Sequence, residues 1–281
     1  MKWHTKYLSV FEKEFEEVSP NIINEIKNKI KQIQCEKPLV SVVLIAHNEE
    51  KRILSCLWSL SDNIFSESLE IICVDNASTD KTPIILDKLN IVTFKETKKG
   101  PGHARQCGLD HAKGKYLLCI DSDTMYPPYY IQTMINQLSK EDVAGVYSLW
   151  SFVTNNNKTS YSLYIYEFLR DLHLLFQSIK RPELCVRGMA FGFNTEFARK
   201  IGFRTDIIRG EDGSMALELK KFGKLLFIKS RRARVLTSNE TIRKDGSLAK
   251  SFKKRIIKHI KELSGYFSEK KRYKDEESNL L

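Results

Sequence analysis

Apolar positions along this chain change their period repeatedly, and each change predicts an element. Val40–Ala46, Leu69–Val74 and Tyr116–Ile120 are short, near-continuous apolar runs of the kind found in strands buried on both faces. Helical spacing lies between and around them. Ile53, Leu54, Leu57, Trp58 and Leu60 share one stripe, and Ile84, Ile85 and Leu89 a second, with Ser78 or Thr79 as its cap. A short strand is expected at Ile91–Phe94, and a helix from about His103 to Ala112, closed by Gly114. Strands alternating with helices argue for an α/β fold with a mostly parallel sheet wound by right-handed crossovers.

Outside this alternation the pattern becomes helical again. Residues 1–37 are expected to form an N-terminal helical extension, with Val10, Phe11, Phe15 and Val18 on a first run. Ser19-Pro20 breaks it, and Ile22, Ile23, Ile26, Ile30 and Ile33 form a second. After Tyr126-Pro127-Pro128, the residues Ile131, Met134, Ile135 and Leu138 predict a helix, Val143–Phe152 a strand and Asn155–Lys158 a loop. Tyr161–Ile179 reads as a long amphipathic helix whose stripe (Tyr161, Tyr164, Ile165, Phe168, Leu172, Leu175, Phe176, Ile179) is expected to pack in the core; a lipid-facing or dimer surface is the alternative. The organisation expected is a 1–37 extension, a 38–237 domain with a nucleotide-binding part (38–126) and an acceptor part (127–237), and a basic helical tail at 238–281.

Composition narrows the class. With 42% hydrophobic residues and few Gly or Pro in 281 residues, the chain can build a full core. Its apolar runs are too short to span a bilayer, and Met1–Lys6 leads into a charged segment with no apolar leader core. Six scattered cysteines without a Cys-x-x-Cys pair suggest neither zinc nor disulfides, and a cytoplasmic setting is expected. The net charge of +11 is concentrated: Lys229–Lys274 holds sixteen Lys/Arg against four Asp/Glu. Aromatics are sparse there (Phe252, Tyr266, Phe267, Tyr273), so base stacking is poorly supported and no nucleic acid is expected. An anionic membrane surface, and with it a peripheral place on the inner face of a membrane, is the expected partner of the tail.

Polar clusters follow three strand ends: His47–Glu50, Asp75–Asp80 and Asp121–Asp123. All three should fall on one edge of the sheet, where open α/β sheets bind ligands. Asp121 and Asp123 are two apart in an extended segment and point to the same side. They could converge on a hard cation such as Mg²⁺ or Mn²⁺, or form a solvated Asp-Ser-Asp turn. Glu211-Asp212 opens an apolar-periodic helix (Met215, Leu217, Leu219, Phe222), where acids also suit the helix dipole. No Gly-x-Gly-x-x-Gly follows the first strand, which argues against a dinucleotide enzyme.

Taken in order, these segments resemble the family 2 glycosyltransferases of the GT-A fold, a Rossmann-like nucleotide-diphospho-sugar transferase architecture. The likeness runs from about Pro38 to Thr237. Val74–Asp80 is similar to the family's Val-Asp-Asp-Gly-Ser-Thr-Asp, with Asn76 in place of its second Asp. Gly100–Gly108 is similar to Gly-x-x-x-Ala-Arg-Asn-x-Gly, Asp121-Ser122-Asp123 to the Asp-x-Asp motif, and Glu211-Asp212 to the Glu-Asp base motif.

The resemblance implies an inverting, metal-assisted transfer of sugar from a nucleotide diphosphate, usually uridine, to a glycan or lipid-linked hydroxyl in cell-envelope or polysaccharide synthesis. It implies base contacts from Asp75 and Arg105 with Ala46 and Glu49 beside them, and Asp121 at the ribose. Asp123, with Asp121, would hold Mg²⁺ or Mn²⁺, and Asp212 would be the general base with Glu211 as its neighbour. Lys98, Lys99 and Arg209 could assist the leaving diphosphate, and Phe191–Phe203 would wall donor from acceptor with Gly188 and Gly192 allowing close approach. The family's further metal ligand is not assigned, because the only His after Asp212 is His259, in the tail. The alternatives are a retaining enzyme on the same fold, such as a glucosyl- or mannosyl-phosphoglycerate synthase, and a non-enzymatic nucleotide- or glycan-binding protein.

Overall fold

A computed structural model of the chain describes residues 2–153 and 161–238. The Asn155–Lys158 loop, His259 and the basic helical tail from 239 onward lie outside the described residues.

In chain order the elements are α1 (Pro20–Ile33), β1 (Val40–Ala46), α2 (Ile53–Ser61), β2 (Leu69–Asp75), α3 (Thr82–Lys88), β3 (Val92–Lys95), α4 (Pro101–His111), β4 (Tyr116–Asp121), β5 (Thr124–Met125) and α5 (Tyr130–Leu138). There follow β6 (Val143–Ser148), β7 (Trp150–Phe152), α6 (Tyr161–Lys180), β8 (Phe191–Asn194), α7 (Thr195–Ile201), α8 (Glu211–Leu219), β9 (Lys224–Ile228) and β10 (Val235–Thr237). Seven strands form one sheet in the order β3-β2-β1-β4-β8-β6-β9, parallel except for β8, which runs against β4 and β6. A small sheet, β5-β10-β7, stands beside it. The expected α/β, mostly parallel architecture is the one observed.

The apolar runs are strands because both their faces are covered. Every residue of β2 is buried, and only Ile45 of β1 is partly open. One continuous core extends from Tyr7 and Phe15 to Leu236, so the N-terminal segment packs on the same core as the sheet. Register places the site: Ala46 of β1 lies opposite Asp75 of β2, and Ile45 opposite Asp121 of β4. Three parallel strands therefore end level, and their polar loops emerge together.

Several expectations change. The first N-terminal run is not a helix but two short 3-10 turns, Tyr7–Ser9 and Phe15–Glu17. Glu12 between them has φ +60°, which a right-handed helix does not accommodate, and its N–H is spent on Lys51 O at 2.9 Å. Ser19 and Pro20 do start the second helix, as N-cap and first residue. At α3, neither Ser78 nor Thr79 caps: Asp80 Oδ1 accepts from Thr82 N, while both hydroxyl residues are tied to Asn48. The run Val143–Phe152 is two strands, because at Leu149 the chain leaves the large sheet and β7 pairs with β10. Phe191–Asn194 is not a cleft wall but the antiparallel strand β8 inside the sheet, where Gly192 lets Leu118 pack against its backbone.

The stripe on α6 is turned the other way from its expected packing. Tyr161, Tyr164, Ile165, Phe168, Leu172, Phe176 and Ile179 are exposed and Leu175 half-buried, while Leu163, Tyr166, Arg170, Leu174 and Gln177 face inward. Periodicity shows that a helix has an apolar stripe; it does not show which way the stripe points. Here the inward stripe is held by polar anchors. Arg170 lies 4.5 Å from the Trp150 ring centroid and donates to Trp150 O at 2.5 Å, and Glu167 accepts from Phe152 N at 2.8 Å.

Candidate active site

The loops after β1, β2 and β4 and the N-termini of α4 and α8 surround an open cleft of about 370 Å³. Ala46, Glu49, Arg105, Asp121, Asp123, Glu211 and Asp212 all line it. Asp75 is not among the lining residues: it is buried, and its Oδ1 accepts from Ser78 N at 3.2 Å. Its neighbour Asn76 lines the cleft. Asn76 Nδ2 donates to the carbonyls of Glu96 (3.2 Å) and Lys98 (2.7 Å), and its Oδ1 accepts from Gly100 N at 2.9 Å. A carboxylate could not donate to those two carbonyls, which is a physical reason for Asn at this position. Of the three cations named as assistants, Lys99 lines the cleft and Lys98 and Arg209 do not.

Arg105 is the hub. It is buried on α4, donates to Asp121 Oδ1 at 2.5 Å and to Ile120 O at 3.3 Å, and its Nε lies 3.4 Å from Asp212 Oδ1. This guanidinium thus joins the end of β4 to the start of α8 across the floor of the cleft. Among the described residues, Arg105 Nε and Asp212 Oδ1 are buried without a hydrogen-bond partner. Asp212 itself lines the cleft with part of its side chain exposed, so a carboxylate held by Arg105 is presented to the cavity, which suits a group that must take up a proton.

Glycine makes the closeness possible. A Cβ on Gly188 would lie 2.0 Å from Arg105 Nη2 and 2.5 Å from Asp212 Oδ2. Gly210, at φ +97°, supplies the left-handed residue that starts α8 and aims Glu211 and Asp212 inward.

The carboxylates do not behave alike. Burial and the neighbouring Asp212 push Glu211 up to about 8, against the pull of Arg105. Its protonated form is favoured over that of an ordinary glutamate. Burial raises Asp121 as well, although a third of its side chain is open to the cleft, and Arg105 opposes the rise. Asp123 is raised by burial and by Asp121, and hydroxyls partly offset this. Its Oδ1 accepts from Thr124 and Thr237, at 3.0 and 3.3 Å, and its Oδ2 from Ser238 at 2.5 Å. Among the described residues no three His, Cys, Asp or Glu side chains gather as a metal cage. Two crowded carboxylates with adjacent hydroxyl oxygens nonetheless fit Mg²⁺ or Mn²⁺, which commonly use one or two carboxylates and complete their shell with substrate phosphates and water.

Sequence reasoning did not find Thr237 and Ser238, which β10 brings to Asp123 from over a hundred residues away. His47, in the cluster expected at the end of β1, does line the cleft, with Nδ1 2.6 Å from Asn76 O.

Glu211 offers a test through stability. Its folded value lies above the ordinary carboxyl value near 4.5, so the folded state holds this proton more tightly than the unfolded chain. Stability associated with that proton is fully present below about pH 4.5 and is lost as pH rises towards 8. Glu211→Gln, which cannot ionise, is expected to match wild type in thermal midpoint near pH 5 and to exceed it near pH 8.5. An equal offset at both values would remove the proton from this account.

The sequence model of Glycosyl transferase family 2 matches residues 41–202. The chain is 33% identical over 114 residues to the Escherichia coli UDP-Glc:alpha-D-GlcNAc-diphosphoundecaprenol beta-1,3-glucosyltransferase WfaP, covering 39% of this chain and 45% of that protein. It thus spans less than half the length of that curated relative. Its fold is similar to that of S. aureus TarS 1–349 in complex with UDP-GlcNAc (TM-score 0.54, 21% identity, 71% of this chain and 58% of that chain). It is also similar to glucosyl-3-phosphoglycerate synthase from Mycobacterium tuberculosis in complex with Mn²⁺, UDP-glucose and phosphoglyceric acid (TM-score 0.50, 20% identity, 74% of this chain and 73% of that chain). At these identities the two structures show a common fold, the GT-A fold.

Proposed function

The chain belongs to glycosyl transferase family 2, and from that membership we propose that it transfers a sugar from a uridine-diphosphate sugar to a hydroxyl of a cell-envelope glycan acceptor, with inversion. The observation that carries this reading is the Asp121–Arg105–Asp212 chain beside Asp123, which lines one cleft with groups for a donor and a base for an acceptor. WfaP is named for a UDP-glucose donor and a lipid-diphosphate-linked acceptor, and the TarS complex holds UDP-GlcNAc; both support a UDP-sugar and an envelope glycan here.

In this reading the Asp212 carboxylate accepts the proton of the acceptor hydroxyl as the hydroxyl oxygen bonds to the anomeric carbon. The bond from that carbon to the diphosphate breaks, and its electron pair leaves with UDP. A single displacement from the opposite face inverts the centre and needs no carboxylate nucleophile. Arg105 fixes Asp212 relative to Asp121, and so relative to the donor ribose. The raised affinity of Glu211 for its own proton leaves Asp212 as the base in this reading. Asp123, with Asp121, would hold Mg²⁺ or Mn²⁺, which when bound supplies Lewis-acid stabilisation of the leaving diphosphate. Ala46, Glu49 and Asn76 line the same cleft, which supports them as the base-binding side, with Asp75 acting through the turn it holds.

Calorimetric titration of UDP, with GDP as comparison, tests the donor site. UDP is expected to bind more tightly with Mn²⁺ than without. Asp123→Ala is expected to weaken metal-supported binding at least about tenfold, or about 1.4 kcal/mol, and to abolish its metal dependence. GDP preference would move the donor to another nucleotide. No binding of either nucleotide would sink the transferase reading.

A further inference from the structure

The apolar stripe of α6 is the largest feature that the active site does not use. Its twenty residues span about 30 Å at 1.5 Å per residue. Along that length Tyr161, Phe168, Phe176 and Ile179 are 79%, 60%, 65% and 75% exposed, with Tyr164, Ile165 and Leu172 between them. The inversion is what calls for explanation. A helix ordinarily keeps its polar side outward, yet this one buries Arg170 and Gln177 beside Leu163, Tyr166 and Leu174 and presents tyrosines, phenylalanines and isoleucines outward.

We infer that this face of α6 seats the protein on an anionic phospholipid bilayer. The composition is that of an interfacial helix: apolar side chains for the acyl boundary, with tyrosines suited to the headgroup level. No helix of the described residues is long and apolar enough to cross a membrane, so the contact is peripheral. The second signal is charge. β10 pairs with β7, and Val153 N donates to Thr237 O at 2.8 Å; β7 is bonded in turn to Glu167 of α6. The chain therefore leaves its last described residue, Ser238, close beside α6, and Lys229–Lys274 carries sixteen basic against four acidic residues. Anionic headgroups complement that charge, and an apolar anchor plus a polybasic segment is the two-signal combination that stable attachment requires. A second copy of the chain fits less well, because α6 pairing would bring two strongly basic segments together.

The position also serves the chemistry. Ser238 and Thr237 bond Asp123, so the strand that leads from the catalytic cleft is the one bonded to the α6 support. A lipid-linked hydroxyl is the acceptor that such docking would serve; this last step rests on the transferase reading, whereas docking does not.

Co-sedimentation of the full chain with vesicles decides it, using phosphatidylcholine alone or with ~30 mol% phosphatidylglycerol. Wild type is expected to sediment with the anionic vesicles and not with the neutral ones. Phe168→Glu combined with Phe176→Glu is expected to reduce that binding at least about tenfold with an unchanged thermal midpoint. Failure of wild type to bind anionic vesicles, or equal binding to neutral ones, would overturn the inference. So would undiminished binding by the double variant, which would leave the basic tail acting alone. A wild-type dimer that the double variant dissolves, without vesicle binding, would assign the face to a second copy. Titration of UDP on both proteins separates this outcome from failure of the donor site.

Discussion

Asp212→Asn is expected to lower turnover by about 10²–10⁴-fold while leaving UDP affinity within about threefold. The amide keeps the shape of the side chain and an oxygen that can face Arg105, but it cannot take up the acceptor's proton. Arg105 retains its 2.5 Å bond to Asp121, so the donor side of the cleft stays assembled. Turnover is read as UDP release from the UDP-sugar that the binding experiment selects, and affinity by the same calorimetry. The split between the two decides the role. Loss of turnover with intact UDP binding is the signature of a group used in the chemical step. Equal losses of both would make Asp212 a partner of Arg105 only. Retention of more than about a third of the activity would move the base elsewhere. Glu211 would be the first candidate, and a rate that climbed with pH through about 8, where Glu211 loses its proton, would identify it.

Much of this site was legible because it rests on local rules. Strands buried on both faces are continuous apolar runs, and each of β1, β2 and β4 stops at the first polar residues of a cluster. Parallel pairing then brings those clusters to one edge, so Glu49, Asp121 and Asp123 could be placed in a common cleft from order and spacing, and Ala46 from the family resemblance. The start of α8 was equally plain, since acids at the first turn of a helix announce themselves. What was not legible depends on contacts between distant segments. Nothing near Thr237 and Ser238 marks them as donors to Asp123; the small sheet β5-β10-β7 brings them there. Arg105 was expected in the nucleotide site and lines the cleft, but its ion pairs with Asp121 and Asp212 join three separate elements and could not be read from the sequence. The inversion of α6 was hidden for another reason. Its inward anchors, Arg170 and Glu167, are polar, and a hydropathy pattern assigns polar residues to water.

Gly188→Ala is expected to reduce turnover by about 10²-fold or more, although Ala is the smallest possible addition and position 188 is outside every motif of the sequence. The new methyl would have to occupy space 2.0 Å from Arg105 Nη2 and 2.5 Å from Asp212 Oδ2, far inside van der Waals contact. Arg105 has little room to withdraw: it is buried, and its guanidinium is bonded to Ile120 O and Asp121. The Gly188–Ala190 turn cannot easily retreat either, because the buried Tyr126 hydroxyl donates to Met189 O at 3.0 Å and accepts from Asp121 N at 3.1 Å. The clash must therefore open the Arg105–Asp212 contact and shift the base relative to the donor. Overpacking of this kind costs about 1–3 kcal/mol of stability, which a thermal melt would register as a modest fall rather than unfolding. Asp212→Ala in the same background supplies the decisive comparison. If Gly188→Ala acts by displacing Asp212, the double variant should be scarcely slower than Asp212→Ala alone. If the two losses multiply, the turn at Gly188 serves the reaction by some route other than the base, and the close approach of glycine to the ion pair is a packing detail.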